Sequence, residues 1–191
     1  MSNLTVAAWR SWKGAPTEPP DPVVQAAIDA AELAIGDDLQ RQVVVAGAVA
    51  TARVYAATRR DILRIHDCTT VTVVSNDGTT VDAADYQLEP IGPTLAGQLR
   101  PYTQIRALNG TGWVVDGGRA TCTVTGTWGW LALPANYTEA VKIVTSDILD
   151  QKDIRGGVAG FGEFGAVSVR ENAMVVKLLS KLRRAESWVV A

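Results

Sequence analysis

The sequence predicts an α+β fold: a small helical core of three main helices, with an antiparallel β subdomain inserted after the first. Three observations carry that expectation. Apolar residues recur at three- and four-residue spacing near both ends of the chain, and at two-residue spacing in its middle. Elements of unlike type are segregated along the chain and do not alternate, which separates α+β from a βαβ arrangement. The length, 191 residues, suits one domain carrying an insertion.

Residues 1–20 combine Trp9 and Trp12 with Gly14, Pro16, Pro19 and Pro20. The prolines argue against a continuous helix, so this stretch reads as an extended arm whose tryptophans dock on a partner. Asp21-Pro22 then opens a helix over about 22–35, with Asp21 as N-cap and Pro22 at the first helical position. Val24, Ala27, Ile28, Ala31 and Ile35 form its apolar stripe, and Gly36 is the expected stop.

The β subdomain is expected over about 43–131, with strands at 43–46, 50–57, 62–66, 71–75, 86–88, 103–108 and 120–130. Asn76-Asp77-Gly78 signals a hairpin turn, because Asp-Gly tolerates positive φ. In the last strand Ala120, Cys122, Val124, Gly126, Trp128 and Trp130 share one face, and Thr121, Thr123, Thr125 and Thr127 share the other. That alternation suits a sheet with one packed face and one wet or partner-bound face.

Helical period returns after Pro134. Tyr137, Ala140, Val141, Val144 and Ile148 make the stripe of a helix over 135–151, with Trp128 and Trp130 expected to complete the subunit core. A glycine-rich loop follows at 155–167. A last helix, about 171–184, turns Met174, Val175, Leu178, Leu179 and Leu182 inward. The tail 185–191 lies beyond any helix signal but keeps Trp188, Val189 and Val190. The domain organisation expected is therefore an arm (1–20), a main domain (21–184) and a tail (185–191).

Composition narrows the function. The net charge is −2, and the dense basic cluster is confined to Lys181, Arg183 and Arg184, so tight phosphate binding is not expected. A weakly acidic wall past which DNA slides remains compatible. Cys68 and Cys122 lack paired-ligand spacing, and His66 is the one histidine, which argues against the common zinc patterns. The first ten residues do not read as a signal peptide, and no segment reaches the ~20 apolar residues that span a bilayer. The expectation is a cytoplasmic protein with reduced, buried thiols.

Residues 160–167 spell G-x-G-x-x-G-x-V, but that loop follows a helix, with neither a βαβ setting nor kinase motifs downstream. Phe161 and Phe164 within it read instead as anchors for a partner. His66-Asp67-Cys68 invites a nucleophile reading, which fails unless His66 and Cys68 share a strand face and find an oxyanion hole. Asp37-Asp38 and Asp82/Asp85 read as solvated turns. No catalytic, cofactor-binding or metal-binding residue is assigned, and no cofactor or enzymatic activity is expected.

Several segments in this order resemble the head-to-tail connector (adaptor) proteins of tailed bacteriophages, in the form seen in phages of actinobacteria. Residues 21–31 fit x-P-x-V-x-x-A-I-x-x-A, and 85–90 fit an extended d-Y-x-L-x-P segment. Residues 124–130 fit V-T-G-x-W-G-W and run into Leu133-Pro134; the G-F-G-E-F-G loop and the closing helix complete the likeness over about 21–184. The resemblance implies a structural, non-enzymatic dodecameric ring in the virion neck. It further implies attachment to the portal, contact with the next neck ring (a stopper or head-completion protein), and a channel through which viral DNA passes without tight binding or any membrane. The alternatives are another neck ring, such as a stopper or tail-completion protein, or a cytoplasmic ligand-binding or enzymatic domain. Stoppers tend to be small β-barrels, and three helices count against that reading.

Partner contacts are assigned to Trp9, Trp12, Phe161, Phe164, Arg183, Arg184, Trp188 and Val189. Aromatic and arginine residues dominate interface energies, which is the reason for this choice. Five glycines give the 155–167 loop high backbone entropy, which a partner must offset through Phe161 and Phe164. Amide hydrogen exchange across 155–167 is therefore expected to slow on assembly; equal protection before and after assembly would refute that role.

Overall fold

The structure is a computed structural model that describes residues 3–92, 94–95, 98–154, 169 and 171–183, with 94, 95, 98, 99 and 151–154 described by their backbone. It divides into two units, a helical one (residues 1–42 and 134–191) and a β unit (43–133). The α+β class expected from the sequence is the class observed, with the β unit inserted in chain order between two helices.

Within the helical unit, residues expected to be an extended arm instead form helix α1 (Val6–Lys13). Local chemistry explains the difference. The Thr5 side chain accepts from Ala8 N, Gly14 ends the helix at φ 72°, and every proline of the segment comes after that stop. Arg10 then ties down the proline-rich turn, its guanidinium donating to the carbonyls of Ala15 and Pro19 and to the Asp21 carboxylate. Asp21 is thus an ion-pair partner and not the cap that the sequence suggested; helix α2 (Asp21–Leu39) starts after Pro20 without a side-chain cap.

The stripe expected in α2 is fully buried, and the helix runs past Gly36 to Leu39 before Gln40 ends it in the left-handed region. Leu39 lies one turn beyond Ile35 on the buried face, and that added burial outweighs the cost of a helical glycine, about 1 kcal/mol. In helix α3 (Ala135–Ile154) the stripe Tyr137, Ala140, Val141, Val144 and Ile148 is likewise buried. Two hydroxyls share that interior, and each bonds its own helix: Thr145 to the Val141 carbonyl at 2.7 Å and Ser146 to the Lys142 carbonyl at 3.2 Å.

Helix α4 (Ala173–Leu179) is shorter than expected and is capped by Asn172, whose Oδ1 accepts from Met174 N and Val175 N. Val175, Leu179 and Leu182 are buried and Leu178 is half-buried, but Met174, expected to face inward, is exposed. Among the described residues, α2 packs on α3, α3 on α4, and α1 on α2.

The β unit is built on one long strand. Strands β1 (Thr51–Tyr55), β2 (Ile62–Asn76), β3 (Thr79–Thr80), β4 (Tyr86–Glu89), β7 (Tyr102–Ala107) and β8 (Cys122–Trp128) form an antiparallel sheet in the order β1-β8-β2-β7-β4, with β3 on β2. A two-stranded hairpin, β5 (Thr94–Leu95) and β6 (Gln98–Leu99), follows β4. The two strands expected at 62–66 and 71–75 are one element. Its first half pairs with β7, its second half with β8, and Cys68 stands opposite both Tyr102 and Trp128.

Register shifts between Arg64 and Cys68, Cys68 and Thr70, and Val71 and Val73 bend β2 at that point. The bend lets both halves contribute to one core. Leu63, Ile65 and Ile105 from one side meet Cys122, Val124 and Trp128 from the other, around Tyr55 and Trp113. The turn at Asp77-Gly78 has φ 48° and 82°, the two positive values that the Asn-Asp-Gly sequence signalled. The expected strand at 43–46 is reduced to a single bridge between Val45 and Trp130.

Gly126 is required by the bend. A Cβ there would sit 2.2 Å from the Thr70 carbonyl oxygen and 2.9 Å from the Cys68 sulfur. Gly126→Ala should therefore push β8 off β2 and lower stability by roughly 1–3 kcal/mol, the usual range for overpacking. A thermal melt checks this, with Ala52→Ser on the exposed strand β1 as the silent control.

Candidate functional site

The His66-Asp67-Cys68 segment lies within the bend of β2, and the bend disperses it. The strand does continue through Cys68, yet the register shift breaks the alternation, so His66 is exposed while Asp67 and Cys68 are both buried. His66 Nδ1 lies 3.0 Å from the Tyr55 hydroxyl. The Asp67 carboxylate accepts from the Trp130 indole at 3.1 Å, and its carbonyl accepts from Gly129 N. Cys68 donates to the Thr70 carbonyl at 3.0 Å, and burial pushes its thiol up to about 11. A thiol at that value stays protonated at neutral pH and is a poor nucleophile. Burial also raises Cys122. These three residues fix the strand bend and offer no base–nucleophile pair.

The acidic pairs are likewise structural. Asp37 and Asp38 lie in the last turn of α2 and not in a solvated loop, because the helix runs on past Gly36; Asp38 holds Arg183 at 2.8 Å, Asp82 caps a short 3-10 turn by accepting from Ala84 N, and Asp85 accepts from Asn109. Among the described residues, no group of three or more His, Cys, Asp or Glu side chains could hold a metal ion. No helix among them is long and apolar enough to cross a membrane.

The assigned partner contacts divide into four groups. Trp9 is 1% exposed, part of the interior of the helical unit, so it has no surface to offer. Trp12 is 40% exposed, with its indole donating to Glu139 at 3.0 Å and the Lys142 ammonium 5.9 Å from its ring. That is an aromatic face held in place yet open. Arg183 is exposed but pairs with Asp38 of the same chain, while Arg41 donates to the Leu182 carbonyl beside it. Phe161, Phe164, Arg184, Trp188 and Val189 lie outside the described residues, as does the glycine-rich loop.

Sequence reasoning missed a second class of surface. Val45, Val49, Val54, Val73 and Leu131 are all exposed in the β unit. The signal was available, because residues 43–52 contain no charged side chain. It also missed a polar network on β4 and β7. Glu89 accepts from Arg106 at 2.6 Å and from Gln104, and Asp61 pairs with Arg59 at 2.8 Å.

No family model and no curated protein matches the sequence. Solved structures do. The chain is similar to a subunit in the neck of a native gene transfer agent particle, determined with C12 symmetry, at 20% identity and a TM-score of 0.55, over 93% of this chain and 87% of that one. It is similar as well to a subunit in the neck of the empty particle, determined with C6 symmetry, at 21% identity and a TM-score of 0.56, over 94% and 88%. A chain of the native gene transfer agent virion matches at 21% identity and a TM-score of 0.53. The chain therefore has a fold found in the neck of a phage-like particle, over nearly its whole length.

Glu89 supplies a measurable consequence. Its bond to Arg106 holds the carboxyl below the ordinary glutamate value, so the folded state binds its proton less readily than the unfolded chain does. The stability this pair adds is present above the unfolded value, roughly pH 4.3, and is lost as pH falls through the lower folded value. Glu89→Gln should lower stability modestly at neutral pH, because the pair is partly exposed, and should flatten the loss of stability between about pH 5 and 3, the two proteins converging in acid. Denaturant melts at stepped pH test this; an unchanged acid slope would contradict it.

Proposed function

We propose that the chain is a structural, non-enzymatic subunit of a phage-like neck, an adaptor that assembles as a ring of about twelve copies against the portal and joins capsid to tail. The observation that carries this reading is the fold match to gene transfer agent neck subunits over 93% and 94% of the chain. The symmetry of those necks supports a ring, in which one surface of each copy meets a different surface of the next. The resemblance of residues 21–184 to connector proteins supports the adaptor role over other neck rings.

Charge supports the channel. With a net charge of −2, a ring of such subunits repels phosphates weakly, and DNA can pass without being trapped. Its place is then the virion neck, reached by assembly in the host cytoplasm, with the portal above and the next neck ring below. Phe161, Phe164, Arg184, Trp188 and Val189 remain the proposed contacts to those partners, joined by the open face of Trp12.

Mixing the purified chain with its portal and measuring the mass of the complex tests the ring. A complex near twelve copies per portal is the expected result, and a chain that stays monomeric and binds a metabolite would overturn the reading. Deleting residues 185–191 should leave the melting temperature unchanged while weakening portal attachment several-fold. Normal attachment of the deleted chain would remove the tail from the contact set.

A further inference from the structure

The backbone nitrogen that follows an asparagine can attack that side chain's carboxamide and close a succinimide ring, provided the nitrogen is unbonded, uncrowded and wet. The chain holds asparagines at 3, 76, 109, 136 and 172. At three of them the following nitrogen is already engaged: Leu4 N donates to Glu32, Asp77 N to the Thr121 carbonyl, and Tyr137 N to the Pro134 carbonyl. Asn172 is followed by Ala173, whose Cβ crowds the attack, and its carboxamide both caps α4 and donates to Asp147.

Asn109 differs on each count. It is followed by Gly110, and both residues are exposed. No atom lies within 4 Å of the place a Cβ on Gly110 would take. Among the described residues, the Gly110 N–H donates no hydrogen bond. The local turn explains this. Thr111 N donates to the Leu108 carbonyl at 2.8 Å, and φ is 52° at Asn109 and 78° at Gly110, so the closing bond leaves the N–H of the second central residue unused.

The Asn109 carboxamide is also a clasp. Its Nδ2 donates to the Ala84 carbonyl at 3.0 Å and to the Asp85 carboxylate at 3.3 Å, beside the bond from Leu108 N to the Asp85 carbonyl. Those bonds hold the 3-10 turn that leads into β4, an end strand of the sheet whose pairing is with β7.

We propose that Asn109-Gly110 is a site of spontaneous covalent modification, at which loss of the carboxamide opens the clasp at the head of β4. Gly110 N bonds to Asn109 Cγ, the Cγ–Nδ2 bond breaks, and Nδ2 leaves as ammonia with the proton that Gly110 N gives up. Water then opens the succinimide at either carbonyl, leaving an aspartyl or an isoaspartyl residue at position 109; neither oxidant nor reductant is needed. A carboxamide nitrogen donates, whereas a carboxylate only accepts. The new carboxylate faces the Ala84 carbonyl and the Asp85 carboxylate, so two attractions become repulsions.

Peptide mapping of the folded, full-length chain tests this, after incubation at mildly alkaline pH for the time in which the urea-unfolded chain converts. Cleavage after Arg106 and Arg119 isolates residues 107–119. That peptide should gain the mass of one amide-to-acid conversion and split into aspartyl and isoaspartyl forms, while peptides bearing the other asparagines keep their mass. Asn109→Gln, with its carboxamide one carbon further out, should stay unconverted. Asn109→Asp supplies the product's charge and should melt about 2–4 °C below the wild type, a shift typical of one lost contact in a chain of this size. Adding Asp85→Asn should recover most of that loss. An unconverted 107–119 peptide in the folded chain would overturn the site, and an Asn109→Asp chain that melts with the wild type would overturn the clasp.

Discussion

The bend in β2 is the constraint on which the β unit depends. A straight antiparallel strand of that length could serve one layer, with half its apolar side chains left against solvent. By shifting register three times between Arg64 and Val73, β2 serves two pairings and brings both sets of inward residues into one core. Gly126 admits the Thr70 carbonyl to a position that any side chain would fill. The buried polar groups of the bend are satisfied locally. Cys68 reaches the Thr70 carbonyl, and Asp67 takes the Trp130 indole on its side chain and Gly129 N on its backbone. Residues that look like chemistry in the sequence are therefore the joint of a sheet.

That observation bears on function. Among the described residues, the polar groups that the sequence singles out are engaged in bends, caps and ion pairs. Asp38 and Arg183, Asp82 and the Ala84 amide, and Glu89 and Arg106 each close on a partner within the chain. Among the described residues, most of the large exposed apolar side chains lie in the β unit, with Trp12, Leu33, Met174 and Val176 exposed in the helical unit. The fold is one found in gene transfer agent neck particles.

Much of the fold was legible from residue spacing. The stripes of α2 and α3 are buried residue for residue, and the alternation of β8 is the observed alternation, because a repeat of 3.6 or 2.0 is imposed by backbone geometry before any tertiary contact forms. The Asp77-Gly78 turn was equally local, its two positive φ values being a property of those residue types. Errors gathered where local signals competed. Prolines near α1 obscured a helix that Thr5 and Gly14 delimit, and Gly36 suggested a stop that the burial of Leu39 overrode.

The sequence by itself determined the α+β class, the order of the elements and the buried face of each long one, since these follow from periodicity and turn chemistry within a few residues of chain. Only the tertiary structure decided that residues 62–76 are one bent strand, that Trp9 is interior while Trp12 is open, that Arg183 is already paired, and that Val45 and Val49 of the uncharged stretch 43–52 are left in solvent. Each of those facts depends on a neighbour far away in sequence: Thr70 on Gly126, Trp12 on Glu139, Arg183 on Asp38. Burial and pairing are properties of the packed chain, and local spacing carries no record of which distant segment will supply the other half of a contact.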